Sequence, residues 1–424
     1  MANDIVFPLP YEPREQYYSK ELRAKYDLDN APTPPEEEAP QTYAKIGYEP
    51  NEEEYQARAQ ERVRAGGLEK TVPDGFPQFL SGPLVWCGIM LYGETQFILP
   101  LEESHRREID EALSKFKETK QSGDQVSKDN FPLPTLGPRL LELCNQVYEG
   151  RGLGIIRGLD PEKYANSSAD LVVIYLGISS YIAERRGKQN QSGSMLIHVT
   201  DPERKERDIG KQQPFHTDTI CDTLGLLTKS VSAEGGKSIL ASSWTVYNEL
   251  AATRPDLIHV LAKPDWPFDT FGRQPPYYKR ALLHFFDGKV FLNFSRRLLT
   301  GHPDSPRTEG IPGLTEAQAE ALDAVHFIAC KHQFKTKMEP GDIRFINNMA
   351  VLHCRENFKD DNASQRHLIR TWLNNENMCW KLPPPLELAW ARVFDDEERG
   401  RRWDIDPPGK SSAVLRDLSS DSCD

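Results

Sequence analysis

Residues 341–373 read GDIRFINNMAVLHCRENFKDDNASQRHLIRTWL and combine apolar, strand-like runs with one early histidine and two arginines. Gly341 and Asp342 open a predicted strand, and the pair Asn347–Asn348 predicts a turn after it. His353 follows in the next apolar run. The block therefore predicts two successive strands of a β-rich core, with an imidazole on the second one.

Two arginines stand in the apolar run RHLIRTWL that ends this block. Residues four apart in an extended strand share a face and lie about 13 Å apart along it, so Arg366 and Arg370 could reach different anions in one cavity. A pair of solvated surface charges is the alternative. An unpaired guanidinium in an apolar strand is costly, however, and this favours a shared anionic cavity.

The sharpest motif elsewhere is PFHTDTICD, residues 214–222. In an extended segment, residues i and i+2 point the same way, so His216 and Asp218 are predicted to project into one site. With His353 they would supply two imidazoles and one carboxylate, the facial set of non-haem Fe(II) oxygenases. A His-x-Asp tripeptide alone is weak evidence, because it also occurs in surface turns. A zinc hydrolase could use the same three ligands.

The remaining periodicity predicts helices before about residue 190 and short strands after it. Helices are predicted over Glu52–Gly67, over Ser104–Glu118 with Ser104 as N-cap, over Pro138–Gly152 with Pro138 in the first position, and over Ser167–Gly187. The apolar run GLGIIRGL is a predicted strand, and the Asp-Gly of ALLHFFDGKVFLNF predicts a hairpin. The pattern predicts an α+β fold with a mainly β core, a jelly roll or double-sheet barrel with flanking helices.

We expect three segments. Residues 1–75 form an N-terminal extension, in which NAPTPPEEEAP (Asn30–Pro40) cannot nucleate helix or sheet. This arm is expected to wrap over the core of its own or a neighbouring subunit, and it could join a homo-oligomer. Residues 76–395 form the oxygenase domain, with the jelly-roll core at about 190–380, and residues 396–424 form a polar C-terminal tail.

The composition argues against several classes of protein. The net charge of −12 leaves no basic face for nucleic acid. No run approaches the roughly 18 apolar residues of a membrane span, and the N-terminus lacks the pattern of a signal peptide. The seven cysteines are scattered singly, which is typical of a reducing compartment. The sequence therefore predicts a cytoplasmic enzyme that acts on a small molecule.

Four motifs occur in order along the chain: HTD (216–218), GGKS (235–238), DIRFINNMAVLH (342–353) and R-x-x-x-R (366–370). The set resembles the taurine/2,4-D dioxygenase family (TauD/TfdA) over roughly residues 80–395. The resemblance implies a double-stranded β-helix that uses Fe(II), 2-oxoglutarate and O₂. A binding module without activity is disfavoured because no ligand position is lost, and an interaction protein built around the arm could coexist with the enzyme.

The resemblance also implies roles for single residues. His216, Asp218 and His353 would bind the iron and so form the catalytic centre. Arg366, helped by the Ser238 hydroxyl, would bind the distal carboxylate of 2-oxoglutarate, since a guanidinium fork and a hydroxyl suit that anion. Family members often have Thr at the position of Ser238. Arg370 would bind the acidic group of the substrate, although an exchange of roles between the two arginines stays open.

The substrate is expected to carry a carboxylate or sulfonate for Arg370. Ile343 and Phe345 share one face of their strand and are expected to wall the pocket beside the iron, with ordinary core packing as the alternative. The chain also resembles the fungal 2-oxoglutarate oxygenases of 2-aminoisobutyrate biosynthesis, which convert L-valine to a dimethylaziridine carboxylic acid. This implies hydrogen abstraction at C3 and closure of the amine onto C3. Hydroxylation of an amino acid, or of another small carboxylate or sulfonate, is the alternative.

Overall fold

The computed structural model describes residues 5–8, 18–28, 42–93, 95–200, 213–218, 220–272, 275–303 and 305–407. The predicted loop Asn30–Pro40 lies outside these ranges. The helices are α1 Lys20–Lys25, α2 Glu52–Ala65, α3 Gly88–Leu91, α4 Glu103–Thr119, α5 Leu136–Tyr148, α6 Ser168–Ser179, α7 Ser243–Thr253, α8 Pro255–Ala262, α9 Arg296–Thr300, α10 Glu316–Lys331 and α11 Pro384–Phe394. The strands are β1 Ile98–Pro100, β2 Leu153–Arg157, β3 Arg185–Gly187, β4 Ile197–Val199, β5 Thr223–Ser230, β6 Glu234–Gly235, β7 Ser238–Ser242, β8 Trp266–Asp269, β9 Tyr277–Arg280, β10 Leu283–Phe286, β11 Lys289–Leu292, β12 Phe334–Thr336, β13 Ile343–Asn347, β14 Val351–Arg355, β15 Phe358–Lys359 and β16 His367–Asn374.

The core is a jelly roll of two facing sheets. The main sheet has the order β1-β2-β13-β5-β16, with β3 and β4 both paired to β16. Only the pairing of β1 with β2 is parallel within this sheet. The smaller sheet is antiparallel, with the order β12-β7-β14. Because β1, β2 and β3 precede residue 190, the sheet extends beyond the predicted core of residues 190–380.

The main sheet separates two hydrophobic layers. One face packs on α4, α5 and α6, and the other faces the smaller sheet. Glycines allow the close helix packing: a Cβ on Gly154 would lie 2.8 Å from Leu143 of α5, and one on Gly225 would lie 2.8 Å from the hydroxyl of Tyr175 in α6. The face that carries these glycines is therefore filled by helices.

Several predicted helix boundaries were wrong, because tertiary contacts set the ends. The predicted helix Ser167–Gly187 ends at Ser179, and its last three residues form β3 beside β16. Helix α4 is capped at Glu102 rather than Ser104, because His105 Nδ1 accepts the backbone N–H of Glu102 (3.2 Å).

Helix α5 begins two residues before Pro138, the predicted first position. The carboxylate of Glu108 in α4 accepts the backbone N–H groups of Thr135 (2.6 Å) and Leu136 (3.1 Å) and so satisfies the free donors of this helix start.

Two local predictions were confirmed. Helix α2 stops at Gly66, whose φ is +75°, and the Asp287–Gly288 turn joins β10 to β11 with positive φ at both residues.

The described part of the N-terminal arm packs on the core of its own chain. Arg58 in α2 bonds Glu316 (2.7 Å) and Asp323 (3.1 Å) of α10. Arg62 bonds Asp256 (3.3 Å) and Glu320, whose side chain is fully buried. Although α2 has no buried residue, these ion pairs and the stacking of Tyr55 on Phe327 (5.1 Å between ring centroids) hold the helix on the core.

The predicted polar tail also contacts the core. Trp403 is buried and lies 5.7 Å from the ring of Phe7, measured between centroids. Residues 408–424 lie outside the described ranges. Every helix in the described part of the chain is too short or too polar to cross a bilayer.

Replacement of Arg62 by Ala should release α2 from the core. The change leaves the buried Glu320 with Arg254 as its remaining partner. We expect the free energy of unfolding to fall by about 2–3 kcal/mol, less than for a buried ion that loses its only partner. Urea denaturation and hydrogen exchange of residues 52–65 measure the effect. Arg64→Ala, at an exposed position of the same helix, is the control, and equal loss in both variants would contradict this role of Arg62.

Candidate active site

The two predicted histidine ligands face each other across a backbone bridge. His216 donates its N–H to the carbonyl of His353 (3.0 Å), and His353 donates back to His216 (2.8 Å). Their ring centroids lie 4.4 Å apart. The segment at His216 thus extends the smaller sheet beyond β14, and this pairing brings together two imidazoles that are distant in sequence.

Asp218 is aimed at the same point by its neighbours. Thr217 points away, since its hydroxyl accepts the N–H of Phe294 (2.9 Å) and donates to the carbonyl of Leu292 (3.3 Å). Asn348 holds the backbone of Asp218 on both sides: its Oδ1 accepts the N–H (2.8 Å) and its Nδ2 donates to the carbonyl (2.5 Å). The alternation predicted for the HTD motif is therefore present.

The carboxylate of Asp218 lies in a buried, positively charged environment. Trp372 Nε1 donates to Oδ2 (2.5 Å), and Arg370 Nη1 lies 3.1 Å from the same oxygen. Burial alone would raise the pKa of Asp218, but Arg370 and then His353 outweigh it and hold that pKa well below its usual value. The group is therefore an anion at neutral pH.

These three residues fit a divalent metal. One donor atom from each of His216, Asp218 and His353 lies within 4.8 Å of the others. Oδ1 of Asp218 is buried, makes no hydrogen bond to a described residue, and lies 3.5 Å from His353 Nε2. His216 Nδ1 is 3.0 Å from the carbonyl of Pro214, which leaves Nε2 as the metal-facing atom. Burial, together with His353, lowers the pKa of His216 to about 4, so this imidazole is neutral at physiological pH.

A cavity of about 410 Å³ lies between the sheets, a size usual for small-molecule sites. The GGKS motif lines it: Gly235 and Gly236 have φ of +69° and +72°, and Ser238 begins β7. A Cβ on Gly235 would lie 2.1 Å from the backbone carbonyl oxygen of Asn357, so the loop passes here only without a side chain. The charged residues that line the cavity are Lys237, Lys337, Arg344, Arg366 and Glu356.

Arg366 reaches this cavity together with Ser238. Its guanidinium carbon lies 5.4 Å from the ring centre of Phe358. Burial, followed by the charges of Arg355 and Arg344, lowers the pKa of Arg366 to about 9, so the group remains a cation at neutral pH.

Arg370 reaches Asp218 rather than the cavity, so the two arginines do address different places. Simple alternation along β16 does not explain this, because the strand begins at His367 and its register shifts between His367 and Leu368.

The pocket-wall prediction for Ile343 and Phe345 was wrong. The two side chains do share a face, but it is the face of β13 opposite to the metal cluster. Phe345 is opposite Gly154 and Gly225 in register, and both residues are fully buried in the layer that contains α4, α5 and α6. Core packing, the alternative, accounts for them. Arg344 and Ile346 occupy the inner face instead.

The sequence did not predict a role for four residues that lie near the metal ligands or in the cavity wall. Asn348 was interpreted as part of a turn, and Trp372 as ordinary strand core. The fully buried Gln189 accepts from Arg370 Nε (2.8 Å) and had no local signal. Arg344 did have a local signal in the sequence, since it is a charged residue within the run DIRFIN.

Comparison with known proteins identifies the family. The model of the family "Taurine catabolism dioxygenase TauD, TfdA family" matches residues 116–372. The taurine hydroxylase-like protein SAT17 of Stachybotrys chartarum is 35% identical over 346 residues, which cover 77% of this chain and 89% of that protein. The FR-33289 synthase of Streptomyces rubellomurinus is 25% identical over 318 residues, 70% of this chain and 91% of that protein.

A solved structure of the non-heme iron oxygenase OrfP, in complex with Fe and alpha-ketoglutaric acid, shares the fold. Its TM-score is 0.50 at 14% identity, and the match covers 66% of this chain and 94% of OrfP. The chain belongs to the TauD/TfdA family. It is an Fe(II)- and 2-oxoglutarate-dependent dioxygenase, an oxidoreductase that uses O₂.

Trp372→Phe should weaken metal binding while the fold persists, because it removes the indole N–H that orients Asp218, together with part of the ring volume. Loss of such an outer hydrogen bond typically reduces metal affinity by about 10- to 100-fold. Anaerobic titration with Fe(II) or Mn(II) measures the dissociation constant. Trp380→Phe is the matched control, since the buried indole N–H of Trp380 makes no hydrogen bond within the described ranges. An equal loss in both variants would reject the role of Trp372.

Proposed function

We propose that this dioxygenase oxidises a small amino acid, with His216, Asp218 and His353 holding the Fe(II). The convergence of their donor atoms within 4.8 Å carries the proposal. When bound, the iron supplies, with 2-oxoglutarate and O₂, the oxidant that removes hydrogen from the substrate. The neutral His216 and the anionic Asp218 are already in their metal-binding protonation states.

Arg366 and Ser238 are proposed to bind the distal carboxylate of 2-oxoglutarate. Both line the cavity of about 410 Å³, and a guanidinium with a hydroxyl is a suitable donor set for a carboxylate. The contact between Phe358 and Arg366 limits the directions that the guanidinium can take. Arg366 would therefore orient the cosubstrate and leave its 2-oxo acid end for the metal.

Arg370 is proposed to bind the carboxylate of the substrate. Its guanidinium lies against Asp218, so an anion held there is next to the metal site. Gln189 fixes the orientation of Arg370, and its own Nε2 donates to the carbonyls of Met195 (2.9 Å) and Arg370 (3.1 Å). An amino acid is the preferred class, since OrfP, whose fold is similar, has been solved in complex with (3S)-hydroxy-L-Arg.

Within this class we propose ring closure of L-valine to a dimethylaziridine-2-carboxylic acid. L-Valine, 2-oxoglutarate and O₂ would give the aziridine, succinate, CO₂ and water, with the loss of two hydrogens from valine. C3 is two bonds from the carboxyl carbon, so a carboxylate on Arg370 keeps C3 close to the metal ligands. Hydroxylation at the same carbon uses the same residues and is the second candidate. A cytoplasmic location and self-association through the arm stay predictions.

Incubation with a panel of amino acids, Fe(II) and 2-oxoglutarate should identify the substrate by mass spectrometry of the products. We expect valine to lose two hydrogens without gaining oxygen, together with release of succinate. Gain of one oxygen atom would indicate hydroxylation instead. His353→Ala should bind little iron and give no product. Activity with zinc and without 2-oxoglutarate would contradict the proposed oxidation of an amino acid and would indicate a hydrolase.

The roles of the two arginines can be separated by kinetics. Arg366→Leu should raise the KM for 2-oxoglutarate, and Arg370→Leu the KM for the amino acid. Each change should be about 10- to 100-fold, because a hydrogen bond to a charged group contributes about 1.5–3 kcal/mol. The other KM serves as the internal control in each variant. The opposite pattern would exchange the two assignments.

A further inference from the structure

Arg344 is a buried cation with no partner in the described ranges. It is the second residue of β13 with 4% of its surface exposed, and it lines the same cavity as Arg366 and Ser238. Its Nε and Nη1 atoms are buried and make no hydrogen bond to any residue that the structure describes. Buried N–H groups of a guanidinium that have no acceptor are costly to the fold.

The nearby carboxylates of Asp342 and Glu356 form their contacts with other residues rather than with Arg344. Asp342 is held by Arg157 through two hydrogen bonds of 3.0 and 2.7 Å. Glu356, the acidic residue lining the cavity, accepts the backbone N–H of Lys237 (3.4 Å) and lies 4.0 Å from Lys335 Nζ. By contrast, buried Arg296 has a carboxylate partner in Asp323 at 2.6 Å.

Arg344 remains charged and close to Arg366. Burial lowers the pKa of Arg344 to about 10, against the opposing effect of Asp342, so the group is a cation at neutral pH. The charge of Arg344 contributes in turn to the lowered pKa of Arg366. Two neighbouring guanidinium groups in one cavity repel each other unless an anion lies between them.

The inner face of the main sheet links this pair to the metal cluster. Leu226 of β5 has Arg344 opposite it on β13 and Arg370 opposite it on β16. Since Arg370 contacts Asp218, one row of cross-strand neighbours runs from the cavity to the metal ligands. An anion in the cavity can thus belong to a molecule whose other end reaches the metal.

We propose that Arg344 is a specificity-determining residue that, with Arg366, clamps the distal carboxylate of the cosubstrate. The inference rests on the proposed binding of 2-oxoglutarate by Arg366 and Ser238. A carboxylate has lone pairs for both guanidinium groups. The clamp favours a dicarboxylic 2-oxo acid over a monocarboxylic one of equal length, because the latter leaves both cations unpaired.

The test compares 2-oxoglutarate with 2-oxopentanoate by calorimetry on the full chain loaded with Mn(II). Arg344→Met should raise the dissociation constant of 2-oxoglutarate by about 10- to 100-fold, the effect of a lost charge-assisted bond. The constant for 2-oxopentanoate should change little. Lys359→Met is the control, since it removes one exposed cation of β15 that does not line the cavity. The KM for the amino acid should not change.

Thermal unfolding gives a readout independent of turnover. Without ligand, Arg344→Met should unfold at the same or a higher temperature than the natural chain, because it removes an uncompensated buried charge. The rise in Tm caused by 2-oxoglutarate should shrink. If the Met variant does not fold, Arg344→Lys, which keeps the charge and loses the fork, should still weaken 2-oxoglutarate by a factor of about three or more.

Arg366→Met distinguishes a failure of the Arg344 clamp from a failure of the proposed 2-oxoglutarate site. Weaker 2-oxoglutarate binding in Arg366→Met but unchanged binding in both Arg344 variants would overturn the clamp alone. Unchanged binding in Arg366→Met would overturn the proposed cosubstrate site as well. Equal weakening of both 2-oxo acids by Arg344→Met would show a structural effect and would also overturn the clamp.

Discussion

The backbone bridge between His216 and His353 is the contact on which the site depends. Two hydrogen bonds, of 3.0 and 2.8 Å, join two segments that belong to different parts of the chain. Since they are backbone bonds, the spacing of the two imidazoles is fixed by sheet geometry rather than by side-chain packing. Asp218 follows from the same pairing, because Asn348, on the turn before β14, holds its N–H and its carbonyl. The ligand set is thus a property of the smaller sheet.

The main sheet, with the residue that precedes its strand β16, supplies three guanidinium groups on the side that faces the smaller sheet. Arg344, Arg366 and Arg370 all act toward the inside, at the cavity or at Asp218. The opposite face is apolar and packs on α4, α5 and α6. The sheet therefore separates a layer that stabilises the fold from a layer that binds anions. Ile343 and Phe345 belong to the first layer, so they can influence a substrate only through the position of β13.

Local signals in the sequence predicted the pair His216 and Asp218, the hairpin at Asp287–Gly288 and helix α2, because each depends on residues close together. His353 was added to the ligands through the ordered set of family motifs. Which face of β13 points inward was not predictable from alternation, since both faces of this central strand are buried. The charge of Arg344 was the available signal. The starts of α4 and α5 depend on His105 and Glu108, and such contacts leave little trace in a local pattern.

Strand β16 shows why fold and function share one constraint. Trp372 orients the metal ligand Asp218, Arg370 contacts the same carboxylate, and Leu368 borders the cavity that Arg366 enters. These inward positions alternate with Ile369 and Leu373, which pack on the helix side. A slip of one residue would turn every one of them to the wrong face. Gly225, opposite Thr371 and tightly packed on Tyr175, admits no side chain and so opposes such a slip. The packing of α6 on the sheet therefore fixes the register that brings the metal ligand, the substrate arginine and the cosubstrate cavity together.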